Sequence, residues 1–161
     1  MDTKTNQLFR IRKVLVLFIV LLILSGLTAF PIEIQIDFVM EYIHVFPDLI
    51  QQWFAQIAYG VKQTNAEFPF IAYGTDWLAF AHIVIAIFFI GPLIDPVKNI
   101  WTLMAGMVGC ILVFPLAFIA GHVREIPFWW QLIDCSFGFF GFLVLYKCYS
   151  MIKLYEIGSN P

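Results

Sequence analysis

Charge is scarce in this chain: 12 % of 161 residues are Asp, Glu, Lys or Arg, and a net charge of −2 provides no basic surface of the kind nucleic acid requires. Cysteine is scarcer still. Cys110, Cys135 and Cys148 form no C-x-x-C pair, which excludes the dithiol chemistry of quinone-linked thiol oxidoreductases built on four membrane helices. Cys110 falls within the third apolar run, and Cys135 and Cys148 at opposite ends of the fourth, so depth keeps them from bridging and all three read as small packing residues. No N-x-[ST] sequon, lipidation box or H-E-x-x-H spacing occurs, and there is no internal repeat or low-complexity tract.

What the chain has in excess is apolar residues, 61 % of the total, with a mean hydropathy of +0.88. Four runs approach the length needed to cross a hydrocarbon core of about 30 Å at about 1.5 Å per residue. They cover about 14–30, 77–94, 100–120 and 128–146. Backbone in lipid must bond to itself, and the runs are too long and continuous for barrel strands. The expected class is therefore all-α, an integral membrane four-helix bundle, with residues 1–161 forming a single domain.

Lys and Arg are retained on the cytoplasmic side of short loops. Seven of the nine (Lys4, Arg10, Arg12, Lys13, Lys98, Lys147, Lys153) fall on one side of the four runs, and only Lys62 and Arg124 on the other. The expected topology places both termini in the cytoplasm and the 31–76 segment outside a cell membrane of the bacterial inner-membrane type. The first run follows a basic stretch as a signal peptide would, but LSGLTAFP provides no small-x-small cleavage site because Leu27 stands where a small residue belongs. It reads as an uncleaved anchor.

Turn chemistry supports these boundaries. Gly91-Pro92 is expected to close the second helix, Asp95-Pro96 to open the third and Glu125-Ile126-Pro127 the fourth, with Asp76 capping the second. Within 31–76, Leu49, Ile50, Trp53, Phe54, Ile57, Ala58 and Val61 recur at helical spacing opposite Gln51, Gln52, Gln56 and Lys62. That pattern predicts an amphipathic helix starting at Pro47-Asp48 and lying in the membrane interface. The alternation of Ile32, Ile34 and Ile36 with Glu33, Gln35 and Asp37 fits either a short strand or the start of another helix.

Ionisable groups at membrane depth are costly and face the bundle interior. His82 in the second run and Asp134 in the fourth are such groups. His82 shares a helical face with Ala79 and Ala86, and Asp134 with Gly138 and Gly141, small residues that mark close-packed sides. The third run carries a stripe of Ala105, Gly109, Ala117 and Gly121 with Val113 between, and His122, Arg124 and Glu125 at its outer end. The expected ligand site has His82 and Asp134 at its floor and His122, Arg124, Glu125 and Ser136 near its rim.

Several chemistries fit those residue types. A His82–Asp134 hydrogen bond would raise the imidazole's basicity for proton transfer or ligand anchoring, making these two the catalytic candidates. His82, His122 and Asp134 could supply three metal ligands, or His82 and His122 could hold haem. A hydrogen bond fixing helix register is the plain structural alternative. Besides the lipid bilayer, a small or lipid-like ligand is the expected partner. The other expectations are an enzyme acting on a lipidic substrate, or an accessory subunit contacting other membrane proteins.

Overall fold

The computed structural model describes residues 3–157, and among the described residues every regular element is helical. The chain packs as two compact units, one formed by residues up to Val20 together with those from Ile87 onward, the other by Leu21–Ala86.

In the first unit the start of α1 (Thr3–Leu27) accompanies α5 (Ile90–Ile94), α6 (Ile100–Val123) and α7 (Phe128–Ile157). The principal packing is α6 against α7. Gly121 meets Gln131, Gly138 meets Cys110 and Gly106 meets Leu145, a register that runs the two helices antiparallel from their short connection. Lipid is as apolar as leucine, so association between such helices comes from dispersion at close approach, and glycine allows that approach. Leu103, Leu145 and Ile152, with Ile11 and Leu15 of α1, are fully buried. Phe89 lies over Gly106 and packs on Phe18, ring centroids 4.7 Å apart.

The packed face of α6 keeps Val113 and Gly121 of the expected stripe and leaves out Gly109. A Cβ on Gly109 would meet nothing within 4 Å, and the packed positions are Gly106, Cys110, Val113 and Gly121. Adjacent faces of one helix both carry small residues at helical spacing, and only the partner selects between them.

The turn before α6 is held by side chains. Asn99 donates from Nδ2 to the carbonyls of Gly91 and Asp95, 3.1 and 2.9 Å, and the Lys98 backbone N–H donates to Asp95 Oδ1 at 3.1 Å. That backbone donor, together with the Lys98 ammonium at 3.2 Å, holds the Asp95 carboxyl below its usual range. Asp95 thus closes α5 and organises a turn, rather than capping α6, which begins at Ile100 after Asn99. Arg12 reaches the same end of α5, donating from Nε to Leu93 O (3.2 Å) and from Nη2 to Ile94 O (3.3 Å). A guanidinium on the final carbonyls satisfies groups that a helix terminus leaves open. Arg12→Ala is expected to lower stability by about 1 kcal/mol, with Arg12→Lys intermediate because an ammonium lacks the fork. Thermal unfolding of the purified variants checks the order.

In the second unit, α2 (Ile32–Glu41) and α3 (Asp48–Glu67) form an antiparallel hairpin. The 32–37 stretch is helix, not strand. Lys62 Nζ meets Asp37 at 2.7 Å and Asn65 Nδ2 donates to Glu33 at 2.7 Å, with Ile36 and Ala58 buried. The Asp37 carboxylate raises the Lys62 ammonium above its ordinary value. This contribution is fully present at neutral pH and fades only as pH climbs through the raised value in the alkaline range. Gln35 Nε2 donates to Leu27 O and Phe30 O, 2.7 and 3.0 Å, and closes the end of α1. Gly26 of α1 packs on Ala79 and His82 of α4 (Tyr73–Phe88).

Several boundaries move from their expected positions. α1 stops at Leu27 rather than residue 30, and α4 starts at Tyr73, which puts Asp76 inside its first turn rather than at its cap. The second run is broken at Phe89, because Pro92 has no N–H for the Phe88 carbonyl. α6 and α7 extend past 120 and 146, to Val123 and Ile157.

Three helical segments, Pro69–Ile94, Ile100–Val123 and Phe128–Ile157, are long and apolar enough to cross a membrane. Lys4–Leu27 with Ile32–Glu41 would make a fourth span only across an 86° bend. The apolar part of α1 from Val14 to Leu27 is about 21 Å long, shorter than a hydrocarbon core of about 30 Å. Trp101, Leu116, Ile119 and Phe140 are each more than 60 % exposed, an apolar surface far larger than soluble proteins carry.

Candidate functional site at the α6–α7 turn

α6 ends in a Schellman arrangement. The Ile126 N–H donates to Gly121 O at 2.9 Å and the Glu125 N–H to His122 O at 3.2 Å. The geometry requires a left-handed residue between them, and that residue is Glu125, at φ 56°. Glycine is the ordinary occupant. A side chain there costs about 1–2 kcal/mol.

The same turn is sealed by Gln131 of α7. Gly121 leaves room for it: a Cβ at 121 would stand 2.6 Å from Gln131 Cδ. Gln131 is 7 % exposed, and its Nε2 donates to Ile126 O at 2.7 Å. Phe118 and Phe128 stack alongside, centroids 6.2 Å apart and planes at 23°. These residues enclose one side of an open cleft of about 590 Å³, lined by Phe118, Gly121, His122, Glu125, Phe128 and Gln131 along with Ile126. That volume lies within the range of small-molecule sites, roughly 300–1,000 Å³.

Of the residues expected at the rim, His122 and Glu125 line this cleft and come together. Arg124 is exposed at the α6 C-cap and is not part of the lining. Ser136 donates to Ile133 O at 2.6 Å, a bond within its own helix. Asp134 is half-buried on α7, about 9 Å along that helix. Among the described residues its carboxylate makes no hydrogen bond or ion pair. His82 lies about 14 Å along α4, deeper than a start at Asp76 implied.

The expected faces of these helices do pack. Ala79 and Ala86 are buried, and Gly138 and Gly141 lie on Cys110. His82 Nδ1 is 2.8 Å from Leu78 O. A carbonyl can only accept, so Nδ1 carries the hydrogen of this bond. Among the described residues no three or more His, Cys, Asp and Glu side chains gather as metal ligands. His44 is exposed in the turn Ile43–Val45.

Gln131 is the site residue that the sequence pattern did not reveal. Its signal was a lone amide at the start of an apolar helix, unremarkable until Gly121 is seen beneath it.

No protein-family model, curated protein or solved structure matches the chain. Its class therefore rests on its own geometry. It is an all-α, multi-helix protein whose several long apolar helices are consistent with a membrane-spanning bundle.

Proposed function

We propose that this is a small four-span protein of a bacterial-type inner membrane that binds a small or lipid-like ligand in an outer-side cleft. The observation that carries the reading is the 590 Å³ cleft, where His122, Glu125 and Gln131 converge beside stacked Phe118 and Phe128. A few placed polar groups on aromatic walls are what an amphiphilic ligand requires.

The distribution of Lys and Arg supports cytoplasmic termini, with α1 as a fourth span whose short apolar part is accommodated by local thinning and by Arg10, Arg12 and Lys13 reaching out to the inner surface. The α2–α3 hairpin then lies on the outer side. Ile34, Phe38, Val45 and Leu49, each more than 60 % exposed there, suit burial at the headgroup boundary. His82 adds a further polar group within a span. Asp134 adds a carboxyl group on α7.

Native mass spectrometry of the full chain released from neutral detergent tests the reading. The wild-type protein is expected to carry a bound small molecule or lipid. The bound fraction should fall about tenfold in His122→Ala, the effect of one lost hydrogen bond of about 1.4 kcal/mol. Equal retention by wild type, His122→Ala and Phe118→Ala would sink it.

A further inference from the structure

The cleft also carries a chemical preference. Its lining holds one formally charged side chain, Glu125. Among the described residues that carboxylate takes part in no ion pair or hydrogen bond, and the neighbouring Arg124 is not in the lining. The C-terminus of α6 and the N-terminus of α7 meet at this turn, and their opposite partial charges largely offset each other. The unpaired carboxylate therefore sets the sign of the field.

The polar neighbours point the same way. Gln131 spends one of its two Nε2 hydrogens on Ile126 O, and its amide oxygen remains an acceptor. His122 can offer a ring nitrogen. An ammonium has three donors and no acceptor, and the cleft offers a carboxylate, an amide oxygen and an imidazole nitrogen. The rings of Phe118 and Phe128 suit both a cation over their faces and the apolar body attached to it. Glu125 also occupies the left-handed position that glycine fills without strain. Such residues persist where the surrounding structure over-determines them, and they cluster at binding sites.

We propose that the ligand of this cleft is an amphiphile with an ammonium head, its nitrogen held by Glu125 and its apolar body on Phe118 and Phe128. This rests on the reading that the cleft binds a ligand at all. An aminated lipid headgroup and a free alkylamine share this chemistry.

The test uses the full chain in neutral maltoside micelles, with octylamine, octanol and octanoate as probes of equal length. Octylamine is expected to raise the unfolding midpoint more than octanol, and octanoate least, since a ligand stabilises according to its affinity for the folded state. Glu125→Gln should weaken octylamine binding about tenfold or more, as for one lost charge-assisted contact, and weaken octanol binding far less. Glu125→Gly separates fold from site: its unliganded midpoint should rise by a few degrees while the amine preference disappears.

If octanol matches octylamine in the wild type, the cleft binds ligand but the ammonium inference is wrong. If none of the three probes shifts the midpoint, both readings fail. Retention of the amine preference by Glu125→Gly also overturns the proposal. Native mass spectrometry with phosphatidylethanolamine and phosphatidylglycerol of matched chains distinguishes the sources. Selective retention of the ethanolamine lipid supports a headgroup, and octylamine binding without that selectivity supports a free amine.

Discussion

Gly138→Val is expected to destabilise the protein by about 3 kcal/mol, and Gly138→Ala by about 2, whereas Gly109→Ala is neutral or stabilises by up to about 1 kcal/mol. At position 138 a Cβ would stand 2.6 Å from Cys110 O and 3.1 Å from Val113 Cβ. The first of these is a backbone oxygen, which has no rotamer to escape into. α6 and α7 would have to separate, and the dispersion that holds them falls steeply with distance. Gly109 is on the same bundle pair, in the same kind of helix, yet a Cβ there has nothing within 4 Å. Alanine's better helix propensity then acts alone. Denaturant or thermal midpoints of the two alanine variants, measured in one detergent, should fall for Gly138→Ala and stay or rise for Gly109→Ala. A shared destabilisation would mean that the α6–α7 approach at Gly138 is not what holds the pair together.

The second large effect is at Gly26, where Ala is expected to cost about 1–3 kcal/mol. The added Cβ would lie 2.6 Å from His82 Cβ and 3.1 Å from Ala79 O. Because the opposing atom is a Cβ, turning the imidazole away gives no relief, and truncating His82 to Ala leaves the clash in place. His82→Gly in the Gly26→Ala background should recover part of the loss. Its own helical cost of about 1 kcal/mol limits the recovery. Measuring the four unfolding midpoints as a double-mutant cycle checks this, with a coupling present for His82→Gly and absent for His82→Ala. Coupling of equal size in both would show that the ring, not the backbone approach, is what Gly26 accommodates.

Much of the architecture could be read from periodicity and length. The last two long apolar helices begin where the residue pattern places them, at Ile100 and Phe128, and α3 likewise begins at Asp48. The helix ends were harder, because a capping residue near a boundary does not say which side of it the helix begins. Asp95 serves a turn closed by Asn99 and Lys98, and Asp76 lies within α4. The choice between the Ala105/Gly109 and Gly106/Cys110 faces of α6 was beyond the sequence for a similar reason. The two stripes are about 100° apart on one helix, and both contain small residues. For the site, His122 and Glu125 were legible as polar groups at the end of an apolar run. Gln131 was not, because its importance lies in the missing side chain of Gly121 across the turn, a contact that residue patterning does not show.

By itself, then, the sequence determined that this chain makes long apolar helices. Hydrophobic length and the scarcity of charge are local properties that no tertiary arrangement can reverse. Only the tertiary structure decided which glycines are contacts and which are idle, that Glu125 takes a left-handed backbone, and that Gln131 lies across Gly121 to shape a cleft. Each of these depends on a contact between two helices or on one backbone angle, and neither is written in composition or periodicity.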